Sequence, residues 1–248
     1  MQQILGIDVG ASGIKGALVN LEMGKLAGER FRVPTPKSGN PAEMAEVFAE
    51  IVEYFKYSGP VGCGFPSIVK NGVCGSAANI SKEWIGQNIE KLFSEACGCP
   101  VFATNDADAA GVAEMACGIG RGEKGVVVLL TIGTGIGSAV FHNGILLPNT
   151  EFGHLIWPKK NIAEATISSG ARERLKMSRK DWAEKFNEYL QHLELLFSPD
   201  LFILGGGESK NFDVFKQVFD TKARVVAAQL LNNAGIIGAA AYAKSKAG

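Results

Sequence analysis

A chain of 248 residues with 46% apolar content can bury one large core or two small ones, since a domain takes roughly 150 residues, and it is neither disordered nor collagen-like. Lys plus Arg number 25 and Asp plus Glu number 25, so the chain has no global charge with which to attract nucleic acid or an acidic membrane surface, and a small-molecule partner fits better. Glycine is high, at 31 residues against a usual ~7% of a chain, so the fold needs positions without a side chain.

In chain order, an apolar strand at 4–9, a glycine turn and a strand at 14–19 come first, followed by a Pro/Gly-rich passage (Pro34, Pro36, Gly39, Pro41). A helix over 42–55 is predicted from Met44, Val47, Phe48, Ile51, Val52 and Phe55, which recur at helical spacing. A strand at 61–65, a loop carrying Asn79 and Trp84, a helix at 89–96 and a strand at 101–103 lead to Asn105-Asp106, then a helix at 107–116 and Gly118, Gly120 and Gly122. A second hairpin follows, with strands at 126–131 and 138–141 around Gly133-Thr134-Gly135-Ile136-Gly137. A helix at 181–197 and a strand at 201–204 then stop at Gly205-Gly206-Gly207. Uncharged stretches at 125–150 and 225–243 are not membrane spans, because Gly133, Gly135 and Gly137 break the first and Gln229, Asn232 and Asn233 interrupt the second. The second is predicted as a buried strand at 225–231, an Asn-Asn turn and an Ala/Gly-rich helix.

Five cysteines (Cys63, Cys74, Cys97, Cys99, Cys117) without a signal-peptide pattern suggest reduced thiols in the cytoplasm. Cys97-Gly-Cys99 has no second ligand pair at zinc spacing, and His142, His154 and His192 are scattered. Alternating strands and helices indicate an α/β fold. The two hairpins also align with each other, and Gly10 and Gly133 lie 123 residues apart, half the chain. This spacing suggests a duplication: residues 1–103, joined by the C-terminal helix 234–248, as a smaller α/β domain, and 104–233 as a larger one.

Glycine turns between apolar strands bring backbone N–H groups up to an anion with no Cβ in the way. Either turn alone could be a simple tight turn; two of them, with Ser12, Thr131 and Thr134, Asp8 at the end of the first strand and a third cluster at Gly205, Gly206 and Gly207, point to a phosphate chain. No P-loop motif occurs, and the one G-x-G-x-x-G, at 120–125, precedes a strand instead of opening a helix.

The segments Asp8-Val9-Gly10-Ala11-Ser12-Gly13-Ile14-Lys15-Gly16, Asn105-Asp106-Ala107-Asp108-Ala109-Ala110-Gly111, 131–137, Glu151-Phe152-Gly153-His154 and 198–207 together resemble the ROK sugar kinases, with the polyphosphate/ATP glucokinase branch most alike. The resemblance covers about residues 4–243. It implies an actin/hexokinase-like ATPase fold of two similar domains around a cleft, a homodimer, Mg²⁺, and phosphoryl transfer from ATP or inorganic polyphosphate to a hexose, most simply the 6-hydroxyl of glucose. Fructose, mannose or an acyl-amino sugar is an alternative acceptor. The family's Cys-rich zinc motif is missing after His154, so no structural zinc is expected, and Ala11 and Ser67 stand where the family usually has glycine.

Asp106 is the candidate base for the attacking hydroxyl, or else the cap of the helix that follows. Asn105, Glu151, His154 and, with a weaker claim, Asn79 are candidates for sugar hydroxyls. Asp8 would orient Mg²⁺ through water or position the phosphoryl group, or else be a turn residue. Gly10, Ala11, Ser12, Gly13, Thr131, Gly133, Thr134, Gly135 and Gly205–Gly207 would face phosphate; Lys15 either joins them or is an exposed strand lysine. Arg172, Arg174, Lys176, Arg179 and Lys180 read as a solvated surface or as a track for a polyanionic donor. A sugar-responsive repressor would need a helix-turn-helix ahead of the first strand, where three residues precede Ile4; a silent sugar-binding protein would be expected to lack Asp106 or one glycine turn.

Overall fold

Alternation in the first strand decides the layering of the first half of the chain. The computed structural model describes residues 3–78 and 80–248. In β1 (Gln3–Gly10), Leu5, Ile7 and Val9 point to one face and Ile4, Gly6 and Asp8 to the other, as a two-residue period requires. β2 (Gly13–Asn20) returns antiparallel with Gly10 opposite Gly13, so Ala11 and Ser12 make the turn. The short strands β3 (Lys25–Leu26) and β4 (Phe31–Val33) pair with the outer side of β2. Helix α1 (Pro41–Tyr54) starts at Asn40, whose side chain caps the Glu43 N–H, with proline in the first turn. β5 (Val61–Phe65) lies parallel to β1; β6 (Val69–Lys70) and β7 (Val73–Cys74) form a separate hairpin. Helix α2 (Ile89–Cys97) ends at Gly98 in the left-handed region, and β8 (Val101–Asn105) adds parallel to β5 before α3 (Asp106–Cys117). Leu5, Ile7, Val9, Phe48, Ile51, Phe65, Trp84 and Phe93 make the core under α1 and α2.

The second half repeats this plan. β9 (Val126–Ile132) and β10 (Ile136–His142) form an antiparallel hairpin, with β11 (Ile145–Leu147) on its outer edge. After α4 (Glu164–Ile167), α5 (Ser169–Arg174) and α6 (Arg179–Phe197), β12 (Leu201–Gly206) joins parallel to β9; α7 (Phe212–Phe215) and then β13 (Arg224–Ala227) follow. The sheet orders β3-β2-β1-β5-β8 and β11-β10-β9-β12-β13 are the same arrangement used twice, as the duplicated hairpins led us to expect. Trp182, Phe186, Tyr189, Leu190 and Leu193 of α6 pack on Val128, Leu130, Phe202 and Leu204. The strand expected at 225–231 stops at Ala227, and a single 3-10 turn over Leu231–Asn233 starts the last helix, α8 (Ala234–Ala247).

Helix α8 returns to the first unit, which comprises the chain up to Cys117 together with Asn233–Gly248; the second is Gly118–Asn232. The boundary lies after Cys117, not after residue 103, because α3 is bound to α8: a methyl on Gly238 would fall on the Ala109 carbonyl oxygen. On the sheet below, methyls on Gly6 and Gly62 would fall on the carbonyls of Ile236 and Ala239. Three of the glycines, Gly6, Gly62 and Gly238, therefore serve backbone-to-backbone contact at one Ala-rich helix. All five cysteines are free thiols, and among the described residues no helix is long and apolar enough to cross a membrane.

Candidate active site

The first glycine turn is braced from β4 and the residues just after it. Thr35 Oγ1 donates to the Gly10 carbonyl at 2.6 Å, and Arg32 Nη2 donates to the Ser12 carbonyl at 2.8 Å. The Arg32 side chain crosses Gly13 so closely that a Cβ there would sit 2.5 Å from Nε. None of residues 10–13 occupies the left-handed region, which is why Ala11 fits; its methyl is exposed at the turn. Asp8 stands opposite Lys15, whose Nζ is 3.7 Å from the carboxylate. Burial pushes the Asp8 carboxyl above its ordinary range, against the pull of Lys15 and Arg30. Gly235 at the start of α8 makes room for it, since a Cβ would lie 2.9 Å from Asp8 Oδ1.

Asn105 and Asp106 divide the roles that the sequence left open. Asn105 is the cap: its Oδ1 accepts from Ala107 N–H at 2.8 Å and Asp108 N–H at 3.2 Å, and its Nδ2 donates to the Ser67 carbonyl at 3.0 Å. Asn105 is buried and its oxygen is engaged inside the chain, leaving one amide proton for a ligand. Asp106 is the first residue of α3 and exposed, with Oδ1 accepting from its neighbour's Ala107 N–H at 2.8 Å. Ser67 turns inward, its hydroxyl bonded to the Ile68 carbonyl and 3.2 Å from Cys74 Sγ. Asn79 lies outside the described residues.

In the second unit, a buried hydroxyl fixes the segment that carries Glu151. Ser138 Oγ donates to the Thr150 carbonyl at 2.7 Å and accepts from Phe152 N–H at 3.0 Å, and Tyr189 OH donates to the Phe152 carbonyl at 2.7 Å. Glu151 Oε2 then lies 3.4 Å from His154 Nδ1, while His154 Nε2 lies 3.6 Å from Glu164 Oε1. Glu164, which sequence reasoning missed, also accepts from Ile136 N–H at 3.2 Å and passes over Gly135, tying the imidazole to the second glycine turn. The result is a half-exposed row of carboxylate, imidazole and carboxylate, able to accept and donate to adjacent hydroxyls. Burial raises the Glu151 carboxyl above its ordinary range; Glu164 adds to this and His154 opposes it.

The turn itself closes through Gly133 N–H to the Gly135 carbonyl, and Gly170 N–H, at the start of α5, reaches the Gly133 carbonyl at 3.3 Å. Thr134 is exposed at its tip, and a Cβ on Gly133 would meet open space. Thr131 stands opposite Gly205, and Gly206 has φ 78°, where any side chain would strike the Ile132 backbone. Beyond Gly207, the buried Glu208 accepts from Ser169 Oγ at 3.0 Å and pairs with Arg172 at 3.5 Å. In the cation run 172–180, Arg172 is 17% exposed against Glu208, while Arg174, Lys176, Arg179 and Lys180 lie on the exposed surface, Arg174 bonding the Ala165 carbonyl and Lys180 pairing with Glu184 on α6.

The model of the ROK family matches residues 4–166. A polyphosphate glucokinase of Mycobacterium tuberculosis (strain CDC 1551 / Oshkosh) is 46% identical over 95% of this chain and 89% of its own length. Among solved structures, the inorganic polyphosphate/ATP-glucomannokinase of Arthrobacter sp. strain KM superposes with a TM-score of 0.92 at 44% identity, covering 99% of this chain and 100% of that one. A ROK family glucokinase from Streptomyces griseus, solved with glucose and AMPPNP, has a TM-score of 0.81 at 23% identity over 98% of this chain and 100% of its own, a likeness of fold. With its twice-used sheet, the chain has the actin/hexokinase-like ATPase fold and belongs to the ROK family.

Proposed function

We propose that this chain is a glucokinase that moves the terminal phosphoryl group of ATP or inorganic polyphosphate onto the 6-hydroxyl of glucose. The observation that carries the reading is Asp106, an exposed carboxylate fixed at the first position of α3, in a family of sugar kinases whose relatives named above use these donors. The sugar hydroxyl gives its proton to Asp106 as its oxygen attacks phosphorus; the O–P bond forms and the bond to the donor's bridging oxygen breaks, leaving ADP or a chain one phosphate shorter. Backbone N–H groups at 10–13, with Ser12, are donors for phosphate oxygens, as in the second turn are those of Thr134 and Gly135 with the Thr134 hydroxyl, Gly133 N–H being spent on closing that turn; Gly205–Gly207 leave room for the nucleotide.

Among the described residues no three His, Cys, Asp or Glu side chains converge on a metal position. Mg²⁺ keeps waters and binds through one or two carboxylates plus substrate phosphates, and Asp8 offers one carboxylate two residues before the first glycine turn. Asp8 is the carboxylate that would hold it, through water; when bound, the ion neutralises charge on the transferring phosphoryl group.

Glu151, His154 and Glu164 accept and donate to the sugar hydroxyls, with Glu151 acting as an ionised acceptor. Its raised carboxyl means that glucose affinity, full at neutral pH, falls as pH drops through a value above the ordinary glutamate range. Titration of glucose binding between neutral and mildly acid pH checks this: the wild type weakens earlier than an unperturbed Glu would, and Glu151→Gln binds more weakly with this step gone. The same shift has the opposite sense for folding, since the neutral form suits its partly buried position and stability is lost as pH rises through the raised value.

Mannose is a second acceptor worth testing, because the Arthrobacter relative is a glucomannokinase. We also propose a cytoplasmic homodimer: an apolar groove on the second unit, lined by Val126, Ile145, Leu147 and Phe197, is suited to burial against a second copy, and light scattering on the purified protein measures its mass. A panel of glucose, mannose, fructose and N-acetylmannosamine, each with ATP and with polyphosphate, tests the function. Turnover is expected to be highest with glucose; failure with every sugar and both donors would return the chain to the sugar-binding regulators.

A further inference from the structure

Apart from the 172–180 run of the second unit, the first unit carries a concentration of positive charge of its own. Asp8 on β1 stands opposite Lys15 on β2, and Lys15 stands opposite Arg32 on β4. Residues directly opposite in adjacent strands share a face, so the three side chains form one row running outward from the sheet's middle. Arg30 is close enough to act on the same Asp8 carboxyl. The Asp8 carboxylate is thus shared by Lys15 and Arg30. Lys15 is already committed to Asp8 at 3.7 Å. Arg32 is exposed, pairs with no carboxylate among the described residues, and spends one of its five N–H donors on the Ser12 carbonyl. Like charges set directly opposite each other across strands weaken a sheet, so this arrangement becomes favourable when an anion lies over it.

The anion's place is marked by Gly13. Because that residue has no side chain, the guanidinium lies across Gly13 and reaches the Ser12 carbonyl, and its planar fork is of the kind that matches phosphate oxygens. We propose that Lys15 and Arg32 form a subsite for the internal phosphates of linear inorganic polyphosphate, continuing outward from the turn at 10–13. The inference rests on the reading of the chain as a polyphosphate-using kinase and names the part that tells the two donors apart: beyond its triphosphate ATP carries a neutral nucleoside, whereas every further unit of polyphosphate brings another negative charge for these cations.

The test is Arg32→Gln with ATP, tripolyphosphate and long-chain polyphosphate at saturating glucose. Losing a charge-assisted hydrogen bond raises KM for long polyphosphate roughly tenfold or more. The rise is expected to be markedly smaller with ATP, to grow with chain length and to shrink as salt is added; Arg32→Lys restores most of the affinity. An equal rise with both donors would reduce Arg32 to a brace of the turn, and no rise would remove it from donor binding; either overturns the proposal. Thermal denaturation with tripolyphosphate and no sugar reads the subsite without turnover. The wild type is expected to be stabilised and Arg32→Gln much less so, with ligand-free melting as the control for folding. Stabilisation through Arg32 in a protein that phosphorylates no sugar would sink the kinase reading and leave the subsite standing. Polyphosphate-driven phosphorylation and stabilisation that ignore Arg32 would do the reverse.

Discussion

Asp106→Asn is expected to fold, to bind glucose and to lose about 10² to 10⁴ of turnover, the contribution of a positioned base. The amide keeps an oxygen for the Ala107 N–H that now reaches Asp106 Oδ1 at 2.8 Å, and Asn105 carries the main capping of α3 through two N–H groups, so the helix start survives. The lost capacity is proton acceptance. Circular dichroism, glucose titration and turnover measured together check the claim; a variant within a few-fold of wild type in turnover would take the base role away from Asp106.

The largest effect expected on stability comes from a residue far from any proton transfer. Gly238→Ala places a methyl on the Ala109 carbonyl, and both partners are helix backbone that cannot swing aside. Helix α8 must then lift from α3 and, with it, from the β1 and β5 strands it covers through Gly6 and Gly62. We expect a loss of about 3 kcal/mol or more, the upper end of overpacking effects. Gly28→Ala, where the added methyl meets nothing, is the control and is expected to stay within roughly 0.5 kcal/mol of wild type. Urea unfolding of both variants makes the comparison; equal midpoints would contradict the account of why α3 and the sheet meet α8 through glycine.

The long elements were legible because they carry their own periodicity. Leu5, Ile7 and Val9 alternate as a strand must, and Met44, Phe48, Ile51 and Val52 recur as a helix must. The two- and three-residue strands β3, β4, β6, β7 and β11 were not read, since so short a run has no period and exists only by pairing with a neighbour. The candidate site divides in the same way. Asp106, the glycine turns and the Glu151/His154 pair stand in local patterns. Glu164 looks like any glutamate until the fold brings it 3.6 Å from His154, ten residues upstream, and Arg32 acquires meaning only from its register opposite Lys15. Within the basic run 172–180, four cations lie on the surface, and only Arg172 departs from its neighbours, because the fold brings it to Glu208, a partner that adjacency in sequence does not announce.

Phosphorus NMR of the protein with glucose, Mg²⁺ and either ATP or polyphosphate tests the central claim most directly. Growth of a glucose 6-phosphate resonance in step with loss of the donor's terminal phosphate, with both donors and far more slowly in Asp106→Asn, is the predicted result. Release of inorganic phosphate alone, or donors left intact beside unmodified glucose, would contradict it.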